Sequence, residues 1–204
     1  MKYRWKIGMV TLLMISILAG CSQVELEENS FPMLVAVGSD DRKVTFDVAF
    51  PKLEKKDSTL VKKPSFEKCI AEYESRLSKQ ADYNHLKVFV LEEELIKEKE
   101  AYNEMLVYLA KTERFPRNTY VCVVNDIEDL FELEEHISQD LGTYLEEYIT
   151  KHEEKKSHIL TLGDLLDERE NQTLILYLPY LEVEENYVEW DGYVNILGEI
   201  WQDF

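Results

Sequence analysis

The spacing of hydrophobic positions changes along the chain, and each change marks an element. Residues 44–50 alternate, with Val44, Phe46, Val48 and Phe50 on one side of an extended strand and Thr45, Asp47 and Ala49 on the other. The apolar run Phe31–Val37 precedes them, and Gly38-Ser39-Asp40-Asp41 supplies a turn signal between the two, so the pattern predicts a hairpin. Pro51–Lys63 is charged, with few apolar residues, and is predicted to be an exposed loop. From Ser65 the period becomes helical. Ser65 is placed as an N-cap, and Phe66, Cys69, Ile70, Tyr73 and Leu77 form one buried stripe of a helix running to about Gln80.

His85–Leu91 is a near-continuous apolar run and predicts a strand. Glu92–Lys97 predicts a short helical turn, and Glu100–Thr112 a longer helix burying Met105, Leu106 and Leu109. Thr119–Val124 is the next strand. Strand, helix, strand at this spacing is a βαβ unit, which predicts two parallel strands in one sheet. Asp126 can cap a helix carrying Ile127, Leu130 and Phe131, and Ile137, Leu141, Tyr144, Leu145 and Tyr148 repeat the pattern. Gly142 costs roughly 1 kcal/mol against Ala, which favours a break near Ser138. His152–Ser157 is a charged linker, and Thr161 caps a short helix through Leu162, Leu165 and Leu166. Leu174–Leu178 predicts a strand stopped by Pro179; Tyr187–Leu197 and Glu199–Phe204 predict two last strands around Gly198. The fold class is mixed α/β: a sheet with a βαβ unit flanked by helices, plus short β-hairpins near both ends.

The first twenty-one residues fit none of these elements. Lys2, Arg4 and Lys6 precede an apolar run from Ile7 to Leu18, and Leu18-Ala19-Gly20-Cys21 follows with small residues. That is the architecture of a secretory signal peptide. The run is too short for a membrane span, which needs roughly twenty apolar residues. Its ending is similar to the bacterial lipobox, which predicts a lipidated Cys21 as the mature N-terminus. The alternative is an ordinary signal with an unrelated cysteine. The organisation expected is 1–20 signal peptide, 21–30 lipid-proximal tether and 31–204 a single α/β domain, outside the cytoplasm and held to a membrane through Cys21.

Charge narrows the partners. The chain has 23 Lys+Arg against 41 Asp+Glu, and loss of the three basic leader residues takes the formal net charge from −18 to −21. Such an excess argues against nucleic acid, whose affinity comes largely from cations neutralising phosphates. It also argues against adsorption to anionic lipid, so the lipid on Cys21 must do the anchoring.

Candidate chemistry is sparse. Cys69 and Cys122 both lie on apolar faces and read as buried thiols, with a mutual disulfide as the alternative. His152-Glu153-Glu154 lacks the second His of a zinc helix, and His152 and His158 flank a charged linker. Ser65-Phe66-Glu67-Lys68 has Ser-x-x-Lys spacing, without the Ser-Asp-Asn or Lys-Thr-Gly that would accompany it in a penicillin-binding enzyme. Asp126, Glu128, Asp129, Glu132, Glu134 and Glu135 form an acidic patch without calcium-loop spacing. No nucleophile elbow, phosphate-cradling loop or full ligand set is found, so no cofactor, metal site or enzymatic activity is expected.

Several stretches in order resemble the C-subunit lipoproteins of bacterial spore germinant receptors (the Ger(x)C family). They are Cys21 with Glu25-Leu26-Glu27, then Val35-Ala36-Val37 running into Gly38-Ser39-Asp40, then His85-Leu86-Lys87-Val88-Phe89-Val90-Leu91 running into Glu92-Glu93-Glu94-Leu95. Arg114-Phe115-Pro116-Arg117-Asn118 before Thr119–Val124, and Leu178-Pro179, continue the series. Ser22-Gln23 replaces the Trp-Asp usual after the lipidated cysteine, and the resemblance spans the N-terminal half of a usual member. It implies a non-enzymatic lipoprotein on a cell or spore inner membrane, acting with polytopic subunits in nutrient-triggered germination. His85 then has two readings: a junction residue donating to backbone carbonyls, or a pH-sensitive partner contact. The competing function class is a free-standing surface lipoprotein that binds a small molecule or envelope component.

Overall fold

The computed structural model describes residues 29–52, 59–153, 161–171, 177–195 and 200–201. The strands are β1 (Asn29–Ser30), β2 (Leu34–Asp40), β3 (Lys43–Ala49), β4 (Val61–Lys63), β5 (Gln80–Ala81), β6 (Val88–Glu92), β7 (Tyr120–Val124), β8 (Tyr177–Val183), β9 (Val188–Asn195) and β10 (Ile200–Trp201). The helices are α1 (Phe66–Arg76), α2 (Glu93–Lys97), α3 (Lys99–Lys111), α4 (Ile127–Glu132), α5 (Leu141–Glu153) and α6 (Leu162–Asn171). One sheet runs β10-β9-β8-β7-β6-β2-β3-β4, and β1 pairs separately with β5. Its centre, β2-β6-β7-β8, is parallel, and antiparallel strands extend both edges.

The central strands are apolar on both faces because both are covered, which is the composition parallel sheets require. In register across the sheet, Val35, Phe89 and Val121 face one side with Val37, Leu91 and Val123. Leu34, Val88, Ala36, Val90 and Cys122 face the other. On the first side lie α1, α2, α3 and α6; on the second lie α4 and α5. The layers are helix, sheet, helix.

The mixed α/β class and the parallel βαβ unit hold: β6 pairs with β7 through Val88↔Tyr120 and Val90↔Cys122. Val88, Val90 and Cys122 are fully buried, while Tyr120 is only half-buried at the strand's start. The first hairpin also holds, but its turn lies two residues later, with Gly38, Ser39 and Asp40 inside β2. Asp40 pairs with Lys43 around Asp41 and Arg42, which adopt φ of 49° and 61°. That tight two-residue connection needs left-handed backbone at both positions.

Four expectations shift. Helix α1 stops at Arg76, because Gln80–Ala81 is drawn into a parallel ladder with Asn29–Ser30. Asn29–Ser30, within the stretch read as tether, is thus a strand. Residues 83–85 form a single 3-10 turn capped by Asp82, so the strand begins at Val88 rather than His85. Part of the charged loop is an edge strand, β4, whose Val61 is buried against α1. Pro179 does not stop β8 but sits inside it. The β7 ladder reaches only Tyr180 and Leu181, so it asks for no donor at Pro179. Residues 174–176 and 197–199 lie outside the described residues.

The break near Ser138 is real: α4 passes through a 3-10 turn (Leu133–Glu135) and α5 starts at Leu141. Gly142 lies in that first turn, and a Cβ there would stand 2.5 Å from the Met33 carbonyl oxygen, so the helix can dock on the start of β2 only without one. Helix α5 continues through Glu153, which places His152 in a helix rather than in the linker.

Candidate functional site

In doubly wound sheets, ligands settle outside the carboxyl ends of adjacent strands whose connections leave on opposite faces. This sheet has such a place. From β6 the chain turns into α2 on one face, and from β7 it turns into α4 on the other. The crevice between them is occupied by the protein's own side chains.

Glu92, the last residue of β6, is half-buried there. Its Oε2 accepts from Ser39 N–H at 3.1 Å and its Oε1 from Ile127 N–H at 3.4 Å. One carboxylate therefore ties the end of β2, the end of β6 and the start of α4. Burial pushes its pKa above the ordinary glutamate range. The two backbone donors oppose that shift, and Asp126 and Glu94 add to it. Beside it, Glu93 accepts from the Tyr180 hydroxyl at 3.3 Å and pairs with Lys97 at 2.8 Å. Asn125 Oδ1 accepts from Val183 N–H at 2.8 Å, fastening β7 to β8. The polar groups that could greet a ligand are engaged in joining elements.

Gly38 makes the arrangement possible. A Cβ on it would run into the Glu92 carboxylate and stand 2.6 Å from Thr45 Oγ1. Gly38→Ala should therefore push Glu92 off Ser39 and cost about 1–2 kcal/mol. Urea unfolding of the variant beside wild type checks this, and an unchanged midpoint would show that the crevice has slack.

The acidic patch divides by task. Asp126 caps α4, accepting from Glu128 N–H at 2.7 Å and Asp129 N–H at 3.1 Å. Glu134 is turned into the fold at 6 % exposure. Asp129 and Glu132 line a shallow depression of about 390 Å³ with His136, Val183, Glu184, Glu185 and Asn186. The second acidic run, Glu182–Glu185, comes from the β8–β9 hairpin, and sequence reading did not join it to the first. Glu92 was missed as well, being read as a helix start. A signal was present: Gly38-Ser39 and Glu92 belong to two stretches noted separately, and the fold brings them into contact.

The remaining candidates are structural. Ser65 stands at the N-cap position of α1, but its hydroxyl makes no capping bond; only its carbonyl accepts, from Cys69 N–H at 3.0 Å. Cys69 and Cys122 are free buried thiols on opposite faces of the sheet, so no disulfide joins them. Burial pushes the Cys69 thiol up to about 11 and raises that of Cys122 further. Such thiols are inert. His85 is exposed, its ring edge-on to Phe31 at 5.1 Å, and marks a turn rather than a strand–helix junction. His152 Nδ1 lies 2.8 Å from the Tyr148 carbonyl oxygen, and its ring stands between Tyr148 (4.2 Å) and Trp190 (5.8 Å). Cys21 and His158 lie outside the described residues.

Among the described residues, no helix is long and apolar enough to cross a membrane. A family model described as the spore germination protein N-terminal domain matches residues 22–183. No curated protein and no solved structure matches.

Proposed function

The chain belongs to the spore germination protein N-terminal domain family, and on that premise we propose that it is the lipid-anchored, non-enzymatic subunit of a germinant receptor. The family match over most of the chain carries the reading and supports a role in spore germination. The leader ending in Leu18-Ala19-Gly20-Cys21 supplies the anchor, with Cys21 carrying the lipid. Anchoring raises the effective concentration of any membrane partner, so a small reversible contact with polytopic subunits suffices. The engaged side chains of the crevice and the inert thiols support action by contact rather than by chemistry. The chain's negative charge favours a basic patch on the partner, with charge setting encounter rate and specificity more than affinity.

Cys21→Ala is the decisive variant. It should abolish labelling by radioactive palmitate, release the protein from the membrane fraction and leave no multi-spanning subunit in a mild-detergent pull-down from sporulating cells. An unmodified Cys21 in membrane-bound wild-type protein, measured by intact mass, would refute the anchor. Failure of wild type to recover any polytopic subunit would refute the receptor role.

A further inference from the structure

The two ends of the sheet differ in charge. The parallel strands β2, β6, β7 and β8 all finish at one end, where the segments leaving them emerge. Residues 125–136 carry six acids there and residues 182–191 five, with no Lys or Arg in either. Residues 92–100 add five acids against two lysines; among these segments the β2–β3 turn alone is balanced, with Asp40 and Asp41 against Arg42 and Lys43. At the opposite end, residues 77–87 and 111–119 lead into β6 and β7 and hold five Lys+Arg against two acids. Three of these cations pair with acids of neighbouring helices: Lys87 with Glu146, Arg114 with Glu74 and Arg117 with Asp167. Lys79 and Lys111 are exposed and in no ion pair among the described residues. With the partners counted, this end is near neutral and keeps two free lysines.

β1 belongs to the near-neutral end. It lies beside β5, and the Ser30 carbonyl accepts from Asp82 N–H at 2.8 Å. Eight Cα–Cα steps join Cys21 to Asn29, so by any path Asn29 stays within roughly 28 Å of the lipidated residue. β2 then carries the chain about 20 Å further, to the acidic end. That reach lets the domain roll, so charge decides which end lies against the bilayer. An anionic surface attracts Lys and Arg and repels carboxylates within about one Debye length, roughly 8 Å at physiological salt. The three glutamates of residues 22–28 connect lipid to domain in every orientation and do not choose among them.

We propose that the end where the parallel strands begin, with Lys79 and Lys111 near β1 and β5, rests on the anionic headgroups of the bilayer, and that the acidic end points away from it. The proposal rests on the lipid attachment at Cys21 put forward above and adds the surface that meets the membrane. Two free lysines on so acidic a chain do not replace the anchor; they and the distant acids set the way the anchored chain turns. The acidic segments are then left facing the aqueous side, within reach of basic extramembrane parts of a partner.

The test places the full lipidated chain on vesicles of phosphatidylcholine and phosphatidylglycerol. A fluorophore is attached at Asn84→Cys or at Asn186→Cys, exposed and uncharged positions at opposite ends of the sheet. Cys69 and Cys122 are buried and do not compete for it. A lipid spin-labelled on its headgroup should quench the label at position 84 about threefold more than that at 186, since quenching and headgroup charge both act at short range. The difference should narrow on phosphatidylcholine alone, and also in Lys79→Glu/Lys111→Glu, whose two exposed sites leave the melting temperature near that of wild type. Equal quenching at both positions, stronger quenching at 186, or a difference unchanged on neutral vesicles and in the double variant would overturn the assignment. Protein that fails to float with the vesicles rejects the lipid anchor and this orientation with it, whereas floating protein quenched equally at both ends rejects the orientation alone.

Discussion

Phe66→Ala should destabilise the protein by about 3–5 kcal/mol, the usual range for truncating a buried aromatic in a packed core. Phe66 opens α1 and is 1 % exposed. Its ring lies 5.9 Å from Phe46 on β3, 6.2 Å from Phe89 on β6, 5.5 Å from Tyr108 on α3 and 6.4 Å from Phe115. The contact with Tyr108 is edge-on at 83°, and that with Phe89 at 67°. Each such pair contributes about 0.5–1.5 kcal/mol beyond area burial. One side chain therefore joins the antiparallel edge, the parallel centre and two covering segments.

Against a total stability of about 5–15 kcal/mol, that loss is large enough to populate unfolded chain. Leu106→Ala is the comparison. Leu106 is equally part of this core at 4 % exposure, but it sits on the covering helix, and its removal should fall nearer the lower end of about 2–5 kcal/mol. Urea unfolding of both variants, with the slope compared to wild type, measures the difference. A Phe66→Ala loss no greater than that of Leu106→Ala would show that the ring cluster fills space without joining the layers.

These elements were legible in the chain to different degrees. Phe66, Cys69, Ile70 and Tyr73 have helical spacing, and all four are buried, so that face could be read directly. The runs Val88–Leu91 and Val121–Val124 are apolar on both faces, which marks parallel strands between two helical layers. Local patterning fails where a distant partner decides. Gln80–Ala81 has no strand-like period of its own; it is extended because Asn29–Ser30 lies beside it. Pro179 breaks strands in general and is tolerated here only because the β7 ladder begins at the next residue. The candidate site was the least legible part. Glu92 looks like any charge opening a helix, and only the meeting of β2, β6 and α4 gives it two backbone donors.

Glu92→Ala should cost about 2–3 kcal/mol at neutral pH. Truncation orphans the Ser39 and Ile127 amides, each at about 1–3 kcal/mol when buried, and removal of a half-buried charge returns part of that sum. Glu92→Gln keeps the shape but sets an amide NH2 against one of the two donors, so it should lose about half as much. The pH dependence separates charge from hydrogen bonding. Burial raises the folded pKa above the ordinary glutamate value of about 4.3. The folded protein thus takes up its proton at a higher pH than the unfolded chain does. The stability this group contributes is complete below the unfolded pKa and is lost as pH rises through the raised folded pKa. Wild type should therefore gain on Glu92→Gln as pH falls from neutrality into that window, since Gln does not titrate. Unfolding curves at several pH values, with an NMR titration of the Glu92 carboxyl carbon, measure both effects. A Glu92 midpoint at or below that of exposed glutamates, with Glu92→Ala within about 0.5 kcal/mol of wild type, the usual range of a neutral surface change, would mean that the carboxylate is solvated and that the crevice between β6 and β7 is open to a ligand after all.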